Sequence, residues 1–173
     1  MVISQPKVLI TRDEIEQAVT RLAAEIKRDY QNNRPLLIGT LKGSFVFLAD
    51  LIRHLDIQLE IDFVQLSSYG SGKETSGQVK LVKGLKTPVR GKHVLVVEDI
   101  VDTGLTVSML LDYLRKKKPA SLKLCALTDK PSRRQVPVDI DYLGFTVPDK
   151  FIVGYGTDWN ENFRYLPDIC SIE

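Results

Sequence analysis

The sequence predicts an α/β fold built around a largely parallel sheet. Three observations carry this reading. Short apolar runs alternate with longer runs of helical periodicity through the first two-thirds of the chain, a helix-start signal opens at Thr11, and extra strand-like segments gather toward the C-terminus. With 173 residues, 43% of them hydrophobic, the chain is long enough for one complete core and short for two. We expect one domain over 1–173, since no linker or internal repeat divides it.

Thr11 and Glu14 form a capping box, after which Ile15, Ala18, Val19, Leu22 and Ile26 repeat at helical spacing, so a helix is expected over 12–30. "PLLIGT" (35–40) reads as a short strand, and "SFVFLADLIRHL" (44–55) is apolar nearly all round, as a buried helix is. In "QLEIDF" (58–63) Leu59, Ile61 and Phe63 alternate with polar residues, which predicts a strand with one wet face. "SSYGSGKETSG" (67–77) then breaks the pattern. Taken alone it is a solvated hairpin connection, although mobile active-site lids share its composition. "QVKLV" and "HVLVVED" are strands, followed by a helix from Gly104 to Lys118 with Leu110, Leu111 and Leu114 inward and Pro119 as its stop. The cations Arg115 to Lys118 face that helix's dipole and read as a solvated helix end rather than a nucleic-acid patch. "LKLCALTD", "DIDYLGF", "FIVGYG" and "DICSI" supply the later strands.

Composition narrows the function. A net charge of +2, from 24 basic and 22 acidic side chains, lacks the bias of a dedicated nucleic-acid binder. Cys125 and Cys170 stand outside any CxxC or metal-ligand spacing and read as reduced thiols, which suits the cytoplasm. The N-terminal stretch lacks a secretory pattern, and no run approaches the ~18 apolar residues of a membrane span, so no membrane partner is expected. A GxSxG elbow and the dinucleotide fingerprint are missing, and "GLKTPVRGK" (84–92) has the wrong glycine spacing for a P-loop. His54 and His93 belong to no motif, which leaves acid–base work to carboxylates.

The carboxylates concentrate in "VLVVEDIVDTGLT" (94–106), where Glu98, Asp99 and Asp102 follow an apolar strand. Ligands of open α/β sheets lie at the carboxyl ends of strands. Asp102, Thr103 and Gly104 form a turn whose amides open the next helix, a ready anion site with the Thr103 and Thr106 hydroxyls as further donors. A substrate carrying a phosphate, a diol and a metal-bound anion would use both features. Read by itself, "DTG" is a helix cap supplied by Asp102, with the other two acids at the edge of water.

The whole stretch closely resembles the phosphoribosyl-pyrophosphate motif of type I phosphoribosyltransferases, and "EDIVDTG" is similar to the form found in hypoxanthine-guanine members. "LKGSFVFLADL", "SSYGSG", "DKPSRR" and "PDKFIVGYGTDWNENFR" resemble the family's other signatures in the family's order, so the likeness spans nearly the full chain. The resemblance implies a central, mostly parallel sheet flanked by helices, with a small hood contributed mainly by about 130–173. It also implies a purine-salvage pentosyltransferase that moves the 5-phosphoribosyl group from phosphoribosyl pyrophosphate to hypoxanthine or guanine with magnesium's help.

Residue by residue, the resemblance assigns Glu98 and Asp99 to the ribose hydroxyls and their magnesium. It gives the 5-phosphate to Asp102, Thr103, Gly104, Leu105 and Thr106; because a proton must leave the purine as the new bond forms and no histidine is placed to take it, Asp102, in the turn between the acids and the phosphate-binding amides, is the candidate catalytic base. Lys42 and Gly43 match the pyrophosphate loop, in which the bond before the lysine is a non-proline cis peptide. Ser68 and Tyr69 match the mobile loop, Lys130 the ligand of the purine 6-oxo group, Phe151 the stacking ring and Ile152 the backbone that reads the base edge. Asp158 matches a residue meeting both the base and a second magnesium, and Arg134 and Arg164 match basic positions near the pyrophosphate. Without the resemblance Phe151 would read as a core aromatic, and Lys130 and Arg134 as parts of a solvated loop. Two positions depart from relatives: Leu105 stands where some have lysine, and Ser44 where many have glycine. The resemblance implies a homodimer or homotetramer. A regulator of the RNA-binding, pyrimidine-attenuation type shares this fold, but near-neutral charge and the acidic pair favour the purine enzyme, with no nucleic-acid partner.

Overall fold

The computed structural model describes residues 5–68 and 79–172. Nine strands and three helices follow one another as β1 (Lys7–Ile10), α1 (Arg12–Tyr30), β2 (Leu36–Leu41), α2 (Phe45–Leu55), β3 (Glu60–Ser68), β4 (Val79–Lys83), β5 (His93–Val101), α3 (Leu105–Arg115), β6 (Ser121–Asp129), β7 (Tyr142–Thr146), β8 (Phe151–Val153) and β9 (Ile169–Ile172). The main sheet has the order β4-β3-β2-β5-β6-β7, and all its pairings are parallel except β3 with β4. A separate antiparallel sheet, β1-β9-β8, stands beside it.

α1 begins where its capping box lies: Thr11 Oγ1 accepts from the Glu14 amide, and the Glu14 carboxylate accepts in return from the Thr11 amide at 2.8 Å. Its buried stripe, from Ile15 to Tyr30, packs with α2 on one face of the sheet, in a core that includes Leu37, Leu95 and Val97. The other face, with Leu36, Ile38, Val94 and Val96, is covered by Val107, Leu110, Leu111 and Leu114 of α3. Side-chain alternation along β2 and β5 feeds both cores, which is why these strands read as continuous apolar runs. No helix among the described residues is long and apolar enough to cross a membrane.

Four expectations change. β1 lacks a signature of its own, yet it pairs with β9, so the small sheet draws on the N-terminal segment as well as 151–172. β7 joins the main sheet, which leaves less of 130–173 in the hood than expected. Ile61 is 39% exposed although its alternation predicted burial: β4 pairs with β3 only from Gln65 onward, and along the start of β3 the 86–87 segment is held through the Asp62 carboxylate instead. Finally, α3 stops at Arg115, and Lys116 to Lys118 form a turn with Lys118 at φ 58°, leaving those cations solvated.

Candidate active site

Two adjoining cavities open at the carboxyl ends of β2 and β5. One, of about 240 Å³, is lined by Thr40, Glu98, Asp99, Asp102, Thr103, Gly104 and Thr106 among others. The other, of about 370 Å³, is lined by Lys42, Gly43, Lys130, Phe151, Asp158 and Arg164 among others, and shares Asp99 and Asp102 with the first. Larger hollows of about 550 Å³ against α3 and about 520 Å³ near the start of α2 lie elsewhere, lacking the acid pair and the helix-opening turn. The chemistry is in the smaller pair.

Glu98 and Asp99 lie within β5, as the strand reading of "HVLVVED" expects, so their side chains are opposed, and the strand runs on past them to Val101. Glu98 is buried; Thr40 Oγ1 donates to its Oε2, while Oε1 has no partner. Asp99 lies directly under the backbone of Gly43, where an added Cβ would stand 1.9 Å from Asp99 Oδ2, so only glycine fits. Burial pushes both carboxyls above the usual carboxylate range, and the neighbouring Asp99 pushes Glu98 further. A buried Glu98 with an orphaned oxygen, next to the half-buried Asp99, suits a hard divalent cation. Among the described residues no cluster of three potential ligands could hold a metal unaided, so substrate oxygens would have to complete its shell.

After β5 the chain turns through Asp102, Thr103 and Gly104, the last at φ 85°, and α3 begins. Gly104 is the N-cap, and no side chain caps the helix, so Asp102 is not spent as a cap. Its Oδ1 has no hydrogen-bond partner, and the nearest cation is Arg133 Nε at 3.7 Å. The first-turn amides of α3 have no intrahelical acceptor; Leu105 N–H reaches Thr103 Oγ1 at 3.4 Å. The Leu105 side chain points away, into the hollow against Met109 and Tyr113.

At the opposite end, the Leu41–Lys42 peptide is cis. Lys42 Nζ pairs with Glu161 at 2.8 Å, and Arg164 joins Asp158 at 2.8 Å, Glu161 at 3.2 Å and the Gly156 carbonyl at 2.8 Å. Glu161, held by Lys42 and then Arg164, has its carboxyl below the usual range. Ser44 is buried with its hydroxyl donating to the Thr40 carbonyl at 2.7 Å and its φ at −80°, so the turn does not require glycine there.

The composition-based readings of Phe151 and Lys130 are inverted. Phe151 is 50% exposed at the cleft, whereas Lys130 is 3% exposed, its Nζ donating to the Lys150 carbonyl at 2.7 Å. Ile152 is buried beside Phe151. Arg134 is not solvated either, and it lines neither cavity: it sits behind the 101–104 turn, donating to the Asp102 carbonyl at 2.9 Å. Arg133, Glu161 and Thr40, which motif reading did not single out, do line the cleft. Arg133 stands inside "DKPSRR", but only the 3-10 turn at Pro131–Arg133 decides which arginine faces in. Ser68 ends β3, and Tyr69 lies outside the described residues. His54, bonded to Glu16 and the Asp50 carbonyl, and His93, bonded to Ser121, take no part in the cleft.

Residues 10–160 match the model of the phosphoribosyl transferase domain. The hypoxanthine-guanine phosphoribosyltransferase of Bacillus subtilis is 49% identical over 94% of this chain and 91% of its own, and that of Aquifex aeolicus 48% over 96% and 94%. A crystal structure of a hypoxanthine-guanine phosphoribosyltransferase from Bacillus anthracis superposes with a TM-score of 0.92 at 47% identity, covering 99% of this chain and 100% of that one. With its acid pair, helix-opening turn and cis-peptide loop converging on one cleft, the chain belongs to the phosphoribosyltransferase family, in its hypoxanthine-guanine branch.

Proposed function

We propose that this chain transfers the 5-phosphoribosyl group from phosphoribosyl pyrophosphate to hypoxanthine or guanine, giving the nucleotide and pyrophosphate. One observation carries the reading: acid pair, phosphate turn and a Lys130–Phe151 base site open onto one cleft, with Asp102 Oδ1, which makes no hydrogen bond, between them. The turn amides of 103–106 receive the 5-phosphate, and Glu98 and Asp99 accept from the ribose hydroxyls. Phe151 stacks on the purine and Lys130 Nζ donates to its 6-oxo group, exchanging the Lys150 carbonyl for the base. As the purine nitrogen bonds to the anomeric carbon, the bond to pyrophosphate breaks and the proton leaving the base passes to Asp102. Lys42 and Arg164 change partners from Glu161 and Asp158 to the departing anion.

Glu98, Asp99 and Asp158 are the residues that would hold magnesium, which supplies charge neutralisation at the pyrophosphate and ribose oxygens. Ser68, Tyr69 and the residues after them would close the cleft against water, which otherwise captures the developing cation. Buried, unpaired Cys125 and Cys170 suit a cytoplasmic enzyme. A homodimer or homotetramer is expected, and a monomer mass in light scattering would refute that.

The test is turnover of phosphoribosyl pyrophosphate and magnesium with hypoxanthine, guanine, xanthine, adenine and uracil. Rapid use of 6-oxopurines is expected; uracil turnover without purine turnover would overturn the proposal.

A further inference from the structure

We infer that Arg134 is a positioning residue for the 5-phosphate turn and not a ligand of pyrophosphate: from behind, it holds the turn's carbonyls inward so that its amides face the cleft. The inference rests on the proposed function and deepens it.

An anion site made of backbone amides works only if the neighbouring carbonyls are turned away, because each carbonyl carries the opposite partial charge. Every carbonyl from 101 to 103 is committed to the segment behind it. Val101 O accepts from Lys130 N at 2.9 Å and Arg134 Nη2 at 3.3 Å; Asp102 O accepts from Arg134 Nε at 2.9 Å; Thr103 O accepts from the amides of Gln135 at 2.9 Å and Val136 at 3.1 Å. Arg134 is the only side chain among these donors, and it bridges two consecutive carbonyls as only a planar, multi-donor head can. Its own orientation is set by Asp129, which accepts from Nη2, and the pair is largely shielded, at 18% and 15% side-chain exposure. Packing closes the arrangement: a Cβ on Gly104 would meet Val136 O at 2.4 Å and Arg134 Cδ at 3.0 Å.

The same segment begins at Lys130, whose side chain serves the base site. Arg134 thus fixes the turn relative to Lys130 and fixes Asp102 between them. A pyrophosphate ligand would have to approach Lys42 and Arg164 across the cleft, whereas the Arg134 guanidinium is occupied on the far side of the turn.

The experiment compares Arg134→Gln, Arg134→Lys and Asp129→Asn with wild type by calorimetry, titrating ribose 5-phosphate and, separately, magnesium pyrophosphate, together with thermal melts and steady-state rates. For Arg134→Gln we expect ribose 5-phosphate affinity and KM for phosphoribosyl pyrophosphate to worsen by about 10- to 100-fold, the range for losing charged hydrogen bonds, with pyrophosphate affinity within about 3-fold of wild type. Arg134→Lys should recover only part of the loss, since one ammonium cannot span both carbonyls, and Asp129→Asn should show the same pattern more weakly. Loss of pyrophosphate affinity with ribose 5-phosphate binding intact would overturn the inference, as would equal loss of both. If Arg134→Gln does not fold, Asp129→Asn and Arg134→Lys carry the same criterion. Wild-type protein that binds neither ligand would instead overturn the functional reading itself.

Discussion

The two ends of the cleft handle charge in opposite ways. At the sheet end, Glu98 is buried beside Asp99 with no cation paired to it among the described residues, and the turn beyond them is held from behind by backbone amides and the Arg134 guanidinium. At the rim, Lys42, Glu161, Asp158 and Arg164 neutralise one another in partly exposed pairs. The sheet end is therefore built for its ligand in advance and is electrostatically uncomfortable without it, while the rim is comfortable empty and must exchange partners when an anion arrives. Preorganisation belongs where charge develops during the reaction, and exchange belongs where a product has to leave.

The largest expected effect breaks the comparison at its centre. Asp102→Asn keeps the shape of the side chain but removes the proton acceptor, so turnover should fall ~10²–10⁴-fold with phosphoribosyl pyrophosphate still bound, as steady-state rates and titration can check. Because Gly104 and not Asp102 caps α3, the melting temperature should hardly change; near wild-type turnover would remove Asp102 from the chemistry.

Next, Lys130→Ala should weaken 6-oxopurine binding by ~10- to 100-fold and leave the sugar phosphate nearly untouched. Loss of the sugar phosphate alone would mean the residue is misassigned.

A third prediction sharpens the discomfort of the acid pair. Their carboxyls are raised by burial, so between about pH 5 and about pH 8 the native state holds protons that the unfolded chain has released, and stability must fall as pH rises. Thermal melts in chelator should show that slope for wild type and a shallower one for Glu98→Gln. A wild-type melting temperature that climbs across this range would contradict the account.

The smallest effect belongs to the rim. Glu161→Gln frees Lys42 and Arg164 from exposed pairs that are worth little in water, so KM for phosphoribosyl pyrophosphate should drop by no more than about 3- to 5-fold. A tenfold rise would make Glu161 a ligand contact.

How much of this the sequence discloses depends on how local the cause is. α1 is legible to the residue because its capping box and apolar stripe are local facts. β1 is not, because "KVLI" becomes a strand only through β9. The acids and the turn after them are legible because their spacing is itself the site. Lys130, Phe151 and Arg134 are not legible from composition. A lysine is buried here because a carbonyl twenty residues away accepts from it, a phenylalanine is exposed because a cleft needs a flat wall, and an arginine faces backward because three acceptors wait there. Those partners come from tertiary assembly, which no pattern of residue types encodes.

The pairing of β1 with β9 also sets an order of events during synthesis. Val8 meets Cys170, so β1 leaves the ribosome long before its partner exists, while β2, β3 and β5 can already associate. The turn that receives the phosphate emerges well ahead of β8 and its Phe151. A nascent chain paused before residue 151 would thus carry the phosphate turn without the strand that stacks the base, and would expose β1 as an open edge to passing strands until translation resumed.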